Sequence, residues 1–292
     1  MKETWLFLSL LCAFSLATSD ALAKRALKNR DEYAVAFLRL LFSVPLLAIA
    51  LYFTPLPAIG PKFYYAFFTA LPLEMIALVF YVKALKASPM SLTLPFLALS
   101  PAALVVVSYF MLGEKISIAG FLGVAFIVAG GYTLNLSEFK NGIFEPFFAI
   151  TRERGCIYMI ITSLIYSVTS ALGKMAVENS SPVFFGATFF MAMAVTMLPV
   201  AISMNRADLK AVFEPGIIKS CILPGLFYSV MVITHMTAVS MTKVAYMISV
   251  KRLSLLIGVI YGRIFFNESG IGERAIGTGL MVAGVTIIAI FQ

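Results

Sequence analysis

The sequence predicts an all-α membrane protein of ten transmembrane helices in two inverted five-helix repeats. Three observations predict it: an apolar composition, ten apolar runs of helix length, and a second half that repeats the first. Of the 292 residues, 61% are hydrophobic and only 12% charged, with a mean hydropathy of +0.97. Soluble domains are about half apolar and roughly a quarter charged, so the solvent here is lipid. A hydrocarbon core about 30 Å thick takes about 20 residues of helix, and the alternating pattern of a barrel strand is missing.

The apolar runs place spans at about 4–23, 34–53, 62–84, 91–112, 116–136, 155–176, 182–204, 216–238, 243–265 and 271–291. The breaks fall where Pro, Gly and charge gather: TPLPAIGP after the second span, SPMS after the third, GEKIS after the fourth and NESGIGE after the ninth. The first span has two readings. Lys2, an apolar core and the triplet Ala21-Leu22-Ala23 fit a cleaved secretory signal. A second copy deep in the chain favours a retained helix: TSLIYSVTSALGKMAV (162–177) repeats CAFSLATSDALAKRAL (12–27), with Lys174 on Lys24 and Ser170 on Asp20.

That match opens onto a duplication of the whole chain. A shift of 154 residues carries Pro45 onto Pro199, Ala84 onto Ala238, Ser100 onto Ser254, Glu114 onto Glu268, Gly123 onto Gly277 and Gly130 onto Gly284. The repeats cover 1–138 and 152–292, and the linker 139–151 is expected to lie at the membrane interface. Five spans per half is an odd number, so the second copy enters the membrane upside down. Most Lys and Arg residues fall in the connections between spans 1–2, 3–4, 5–6, 7–8 and 9–10. By the positive-inside rule this bias puts both termini outside a plasma (inner) membrane. Inverted repeats fit a transporter, because exchanging the conformations of the halves exposes a central site to each side in turn. The alternative is that duplication made only a stable bundle.

Polar residues inside the spans locate the candidate site. Lys251 and Arg252 are adjacent, about 12–14 Å beyond Lys243 along a helix and too deep to snorkel easily. Each costs about 2.5–3.5 kcal/mol at a helix centre, so a neighbouring helix or a wet cavity must receive them. Within the spans the acids are Asp20 and Glu74, against Arg39, Lys251 and Arg252, so bases outnumber acids. The pair therefore either binds an anion or forms structural ion pairs. Glu74 is a candidate proton carrier or a partner of Arg39 or Arg252. His235, aligned with Tyr81, is a candidate titrating group or a simply hydrogen-bonded one. Asp20 either lines the cavity or caps its helix.

Other searches exclude function classes. Three unpaired cysteines and one histidine offer no metal cluster, and no G-x-S-x-G occurs. No acid/base set for an enzyme is found, and no cofactor is implied. The net charge of +8 lies in short loops, which suits a cytoplasmic leaflet and not nucleic acid. The expected partners are a small solute and the lipid bilayer. GTGLMVAG is not a nucleotide loop; its glycines, with Gly120, Gly123 and Gly130, give spacings for close helix packing. Pro45, Pro95, Pro101, Pro199 and Pro224 fall within spans and bend helices or free carbonyls.

The segment ALKASPMSLTLPFLALSPAALVVVSYFMLGEKISIAGFLGVAFIVAGG resembles the closing part of the EamA repeat of the drug/metabolite transporter superfamily, through its Pro-containing fourth span, the Leu-Gly-Glu step at 112–114 and the glycine-spaced fifth span. The resemblance covers essentially the whole chain, with Asn267-Glu268 in place of Gly-Glu in the second half. It implies a transporter, and its members carry amino acids, drugs, metabolites, sugar phosphates or nucleotide sugars. It also implies cytoplasmic termini, against the charge bias, so orientation stays open. VKRLSLLIGVIYGRIFF resembles the ninth helix of triose-phosphate translocators, where an adjacent Lys-Arg pair grips the substrate phosphate. Carried over, Lys251 and Arg252 would hold an anionic solute, and Lys83 is the candidate for a further lysine those relatives use. The first-half equivalents, Leu97 and Ala98, are apolar. A proton-coupled exporter of amino acids or amphipathic drugs, or a lipid-head-group flippase, is the alternative.

Overall fold

A computed structural model of the chain describes residues 2–27, 30–87, 94–133, 154–204, 212–266 and 275–291. Its helices are α1 (Lys2–Leu27), α2 (Glu32–Tyr52), α3 (Lys62–Ala87), α4 (Leu99–Leu112), α5 (Ile118–Thr133), α6 (Arg154–Glu178), α7 (Pro182–Met204), α8 (Pro215–Met241), α9 (Val244–Lys251), α10 (Ser254–Phe266) and α11 (Ala275–Phe291), with a 3-10 segment at Leu94–Ala98 ahead of α4. Six of them, α1, α2, α3, α6, α7 and α8, are long and apolar enough to cross a bilayer on their own. The predicted breaks SPMS and NESGIGE and the linker 139–151 lie outside the described residues.

Local chemistry sets the ends. Asp31 caps α2, its carboxylate accepting from the amides of Tyr33 and Ala34, each at 2.9 Å. Proline opens α7 and α8, where a missing N–H costs nothing. Gly113 ends α4 in the left-handed region at φ +69°, which a side chain would disfavour.

Helix pairing displays the inverted repeat. The most extensive packing joins α3 to α6, α1 to α8 and α5 to α11. Because α1 corresponds to α6 and α3 to α8, the first two pairs are one interface made twice. The third lies across the pseudo-twofold itself. There a Cβ on Gly123 would meet the Gly284 carbonyl oxygen at 2.8 Å, and one on Gly130 would meet that of Gly277 at 2.6 Å. The two contacts exchange under the repeat, and only glycine lets the backbones approach so closely.

The fourth and ninth spans each carry a local change of winding, a break in the regular α-helix: in the fourth the 3-10 segment runs directly into α4, and in the ninth Arg252 and Leu253 separate α9 from α10. The breaks are equivalent, since the repeat carries Ala98 onto Arg252 and Ser100 onto Ser254. At the first, Pro101 cannot donate to the Leu97 carbonyl, and the Ser100 hydroxyl donates to it instead at 2.9 Å. At the second there is no proline. The turn tightens through i to i+3 bonds, Leu253 to Val250 at 3.0 Å and Leu255 to Arg252 at 2.9 Å. A hydropathy window sees two apolar runs and cannot register a change of backbone path within them.

Candidate functional site

Between the halves lies a cavity of about 250 Å³. Of the predicted residues, Asp20, Arg39, Glu74, Tyr81, His235, Lys251 and Arg252 all line it, whereas Lys83 does not. The α9–α10 break delivers the two cations. Lys251 ends α9 and Arg252 caps it, so both stand at the carbonyl end of a helix, where the backbone dipole favours positive charge.

Each head then finds a neutral partner. Lys251 Nζ lies 3.1 Å from His235 Nδ1 on α8. Arg252 donates through Nε, at 3.1 Å, and through Nη2 to the Ser100 hydroxyl at the other half's break. Ser100 can accept both because its own proton is spent on Leu97. Arg252 is buried, and its electrostatic neighbours are Tyr166, Tyr81 and Asp20. Among the described residues no carboxylate lies within 4.0 Å of Lys251 or Arg252.

The acids are engaged elsewhere. Asp20 takes Arg39, with Oδ1 at 2.7 Å from Nη1, so the expected choice of Arg39 as partner for Glu74 is not realised. Arg39 also stands over the Tyr228 ring, 4.3 Å from its centroid, and its buried Nε has no hydrogen-bond partner. Glu74 meets Thr169 and has Lys251 as an electrostatic neighbour, with no ion pair among the described residues.

A charged cluster ties the cavity's end on the face of the chain termini. The buried Lys174 ammonium, which lines the cavity, donates to the carbonyls of Val239 at 2.8 Å and Thr242 at 2.6 Å. It also stands 3.7 Å from Glu114 and 3.5 Å from Glu178. Glu114 accepts the Val244 amide at 3.0 Å and so caps α9 from another segment. Burial pushes the Glu114 carboxyl above its ordinary range, against the pull of Lys174 and that amide.

Sequence reasoning missed Tyr228, Tyr166, Thr169 and Ser100. The repeat held a signal for two of them: the shift of 154 carries Glu74 onto Tyr228 as it carries Tyr81 onto His235, and it pairs Ser100 with Ser254. All but Ser100 line the cavity. Thr169 corresponds to Ser19 and Tyr166 to the apolar Leu16, and nothing in either marked a cavity wall.

The arrangement is a partly open, mixed-polarity chamber between mirrored bundles, with a tyrosine-rich wall and a cationic corner that has no carboxylate within 4.0 Å among the described residues. Comparison with known proteins agrees with that architecture. No curated protein matches the chain. A solved crystal structure, 17% identical, covers 99% of this chain and 99% of its own at a TM-score of 0.75, which shows the fold. The profile of the EamA-like transporter family matches twice, over residues 3–136 and 153–290. The chain therefore belongs to the EamA-like transporter family, a group of multi-pass membrane transporters of the drug/metabolite superfamily.

Proposed function

We propose that this transporter moves a small anionic metabolite, such as a phosphate ester, across the plasma membrane by alternating access, and that Lys251 and Arg252 read its charge. One observation carries the reading: two adjacent cations reach the cavity with a histidine and a serine for company and no carboxylate within 4.0 Å among the described residues. A buried cation without a counter-charge is costly, and an incoming anion removes the cost. Arg252 offers a planar fork for two oxygens and Lys251 a compact point charge, a combination suited to a phosphate or carboxylate head.

Thermal melting of purified protein against inorganic phosphate, phosphate monoesters and carboxylates tests this. A binding anion raises the midpoint, by about 2.7 kcal/mol of stability at 100-fold excess over Kd. The rise is expected to vanish in Lys251→Ala with Arg252→Ala. If no anion shifts the wild-type midpoint, or the double variant responds equally, the reading is wrong.

Glu74 supports a second reading, an exporter of amino acids or amphipathic drugs with Glu74 carrying the coupling proton, because its carboxyl lines the same chamber with no ion pair among the described residues. Efflux in proteoliposomes that follows an imposed pH gradient and is lost in Glu74→Gln would favour it. Lipid scrambling without solute flux would favour a flippase.

A further inference from the structure

Lys251 Nζ and His235 Nδ1 stand 3.1 Å apart, so one proton lies between two nitrogens. A single N–H···N bond requires one partner to accept. With Lys251 donating, the imidazole is neutral and keeps its proton on Nε2. We propose that His235 and Lys251 form a proton-binding site that fills when an anion enters the cavity, so that each anion carried is accompanied by a proton. This rests on the anion reading above and names the coupling ion.

The surroundings decide when a second proton can be held. From α1 the Cys12 thiol lies 4.0 Å from the same His235 nitrogen, with Asp20 further along. α3 brings Glu74 and the α9–α10 break brings Arg252. Asp20 is already taken by Arg39 of α2. α6 brings Tyr166 to Arg252, while its Lys174 is held by carbonyls and by Glu114 and Glu178. α4, α5, α7 and α11 contain no carboxylate. Without an anion, a proton added to His235 would make a third cation beside Lys251 and Arg252, and among the described residues no carboxylate lies within ion-pair distance of the three.

An anion reverses that balance. When it enters, a proton drawn from the solution's hydronium or buffer acid adds to His235 Nδ1 and the Lys251–His235 bond opens. Lys251 and the new imidazolium then each donate to an anion oxygen, beside Arg252. One N–H···N bond is exchanged for two charge-assisted N–H···O bonds, and net charge rises by the one proton taken up. Linkage makes the effect mutual: the proton tightens anion binding as much as the anion tightens proton binding.

Sulfate is the probe for the test, because its own charge is constant from about pH 5.5 to 8, across the imidazole range. Its Kd for the full-length protein is measured over that interval, together with proton uptake in weakly buffered solution. Expected is tightening by up to about tenfold per unit fall in pH, with uptake approaching about one proton per sulfate bound. His235→Gln, which cannot take a proton, is expected to flatten both. The wild-type uptake stands whether or not that variant folds. Sulfate binding that does not change with pH, or a slope that survives in His235→Gln but disappears in Glu74→Gln, overturns the proposal and leaves the anion reading standing. Failure of sulfate, inorganic phosphate, glycerol phosphate and the carboxylates named above to bind at any pH overturns both.

Discussion

At the first-half break Leu97 and Ala98 are buried and apolar, while at the equivalent second-half break Lys251 and Arg252 occupy the same register. The backbone does much the same thing at both, a tight turn between two helical pieces. What differs is the ground each covers. Ala98 packs so tightly that a methyl added to Gly131 would meet its Cβ at 2.9 Å. Leu97 lines the cavity as an apolar residue where Lys251 and Arg252 line it as cations, and Arg252 reaches back to the first break through Ser100. At this one register the duplicated scaffold is apolar in the first half and cationic in the second, although both halves contribute charged residues to the cavity.

The largest predicted effect forces the two breaks to match. Ala98→Arg would bury a second guanidinium where no cavity receives it, and a destabilisation of at least about 4 kcal/mol is expected, read as loss of the monodisperse folded peak after purification. Arg39→Ala comes next. It removes the ion-pair partner of Asp20 in a part-buried site and should lower stability by about 1.5–3 kcal/mol in thermal melting. Ser100→Ala leaves the Leu97 carbonyl and the Arg252 guanidinium each short of a partner, for about 1–3 kcal/mol. Lys251→Ala with Arg252→Ala should behave differently from Arg39→Ala, since no carboxylate is orphaned. The ligand-free midpoint is expected to stay within about 1 kcal/mol of wild type. A loss as large as that of Arg39→Ala would mean the pair is structural.

The smallest effect concerns Glu114. Its folded carboxyl sits above the ordinary range through burial. Its contribution to stability is therefore full below the unfolded value, about 4.3, and is lost as pH rises through the folded value. Glu114→Gln keeps an acceptor for the Val244 amide and removes the buried charge. Melting at neutral pH should be equal or slightly higher, by a few tenths of a kcal/mol, and this group's slope in the melting–pH profile should flatten.

Fold and site were legible in the sequence to different depths. The small-residue spacing around Gly123, Gly130, Gly277 and Gly284 predicted close helix packing, and the tertiary structure supplied the pairing of Gly123 with Gly284 and of Gly130 with Gly277. The repeat also carried Glu74 onto Tyr228, both cavity residues. The breaks in the fourth and ninth spans were hidden, because apolarity continues through both and only the backbone changes course. The partners of the charges were hidden as well. Glu74 was weighed as a partner of Arg39 or Arg252, and the contact of α1 with α2 brought Asp20 to Arg39 instead.

The sequence by itself determined that this chain lives in lipid, that it is two mirrored copies of one five-span unit, and that its buried bases outnumber its buried acids. Those are properties of composition and spacing, and no arrangement of helices can change them. Only the tertiary structure decided which acid meets which base, because that depends on which helix faces converge. It left Lys251 and Arg252 beside His235 and Ser100, with both cations lining the cavity between the halves.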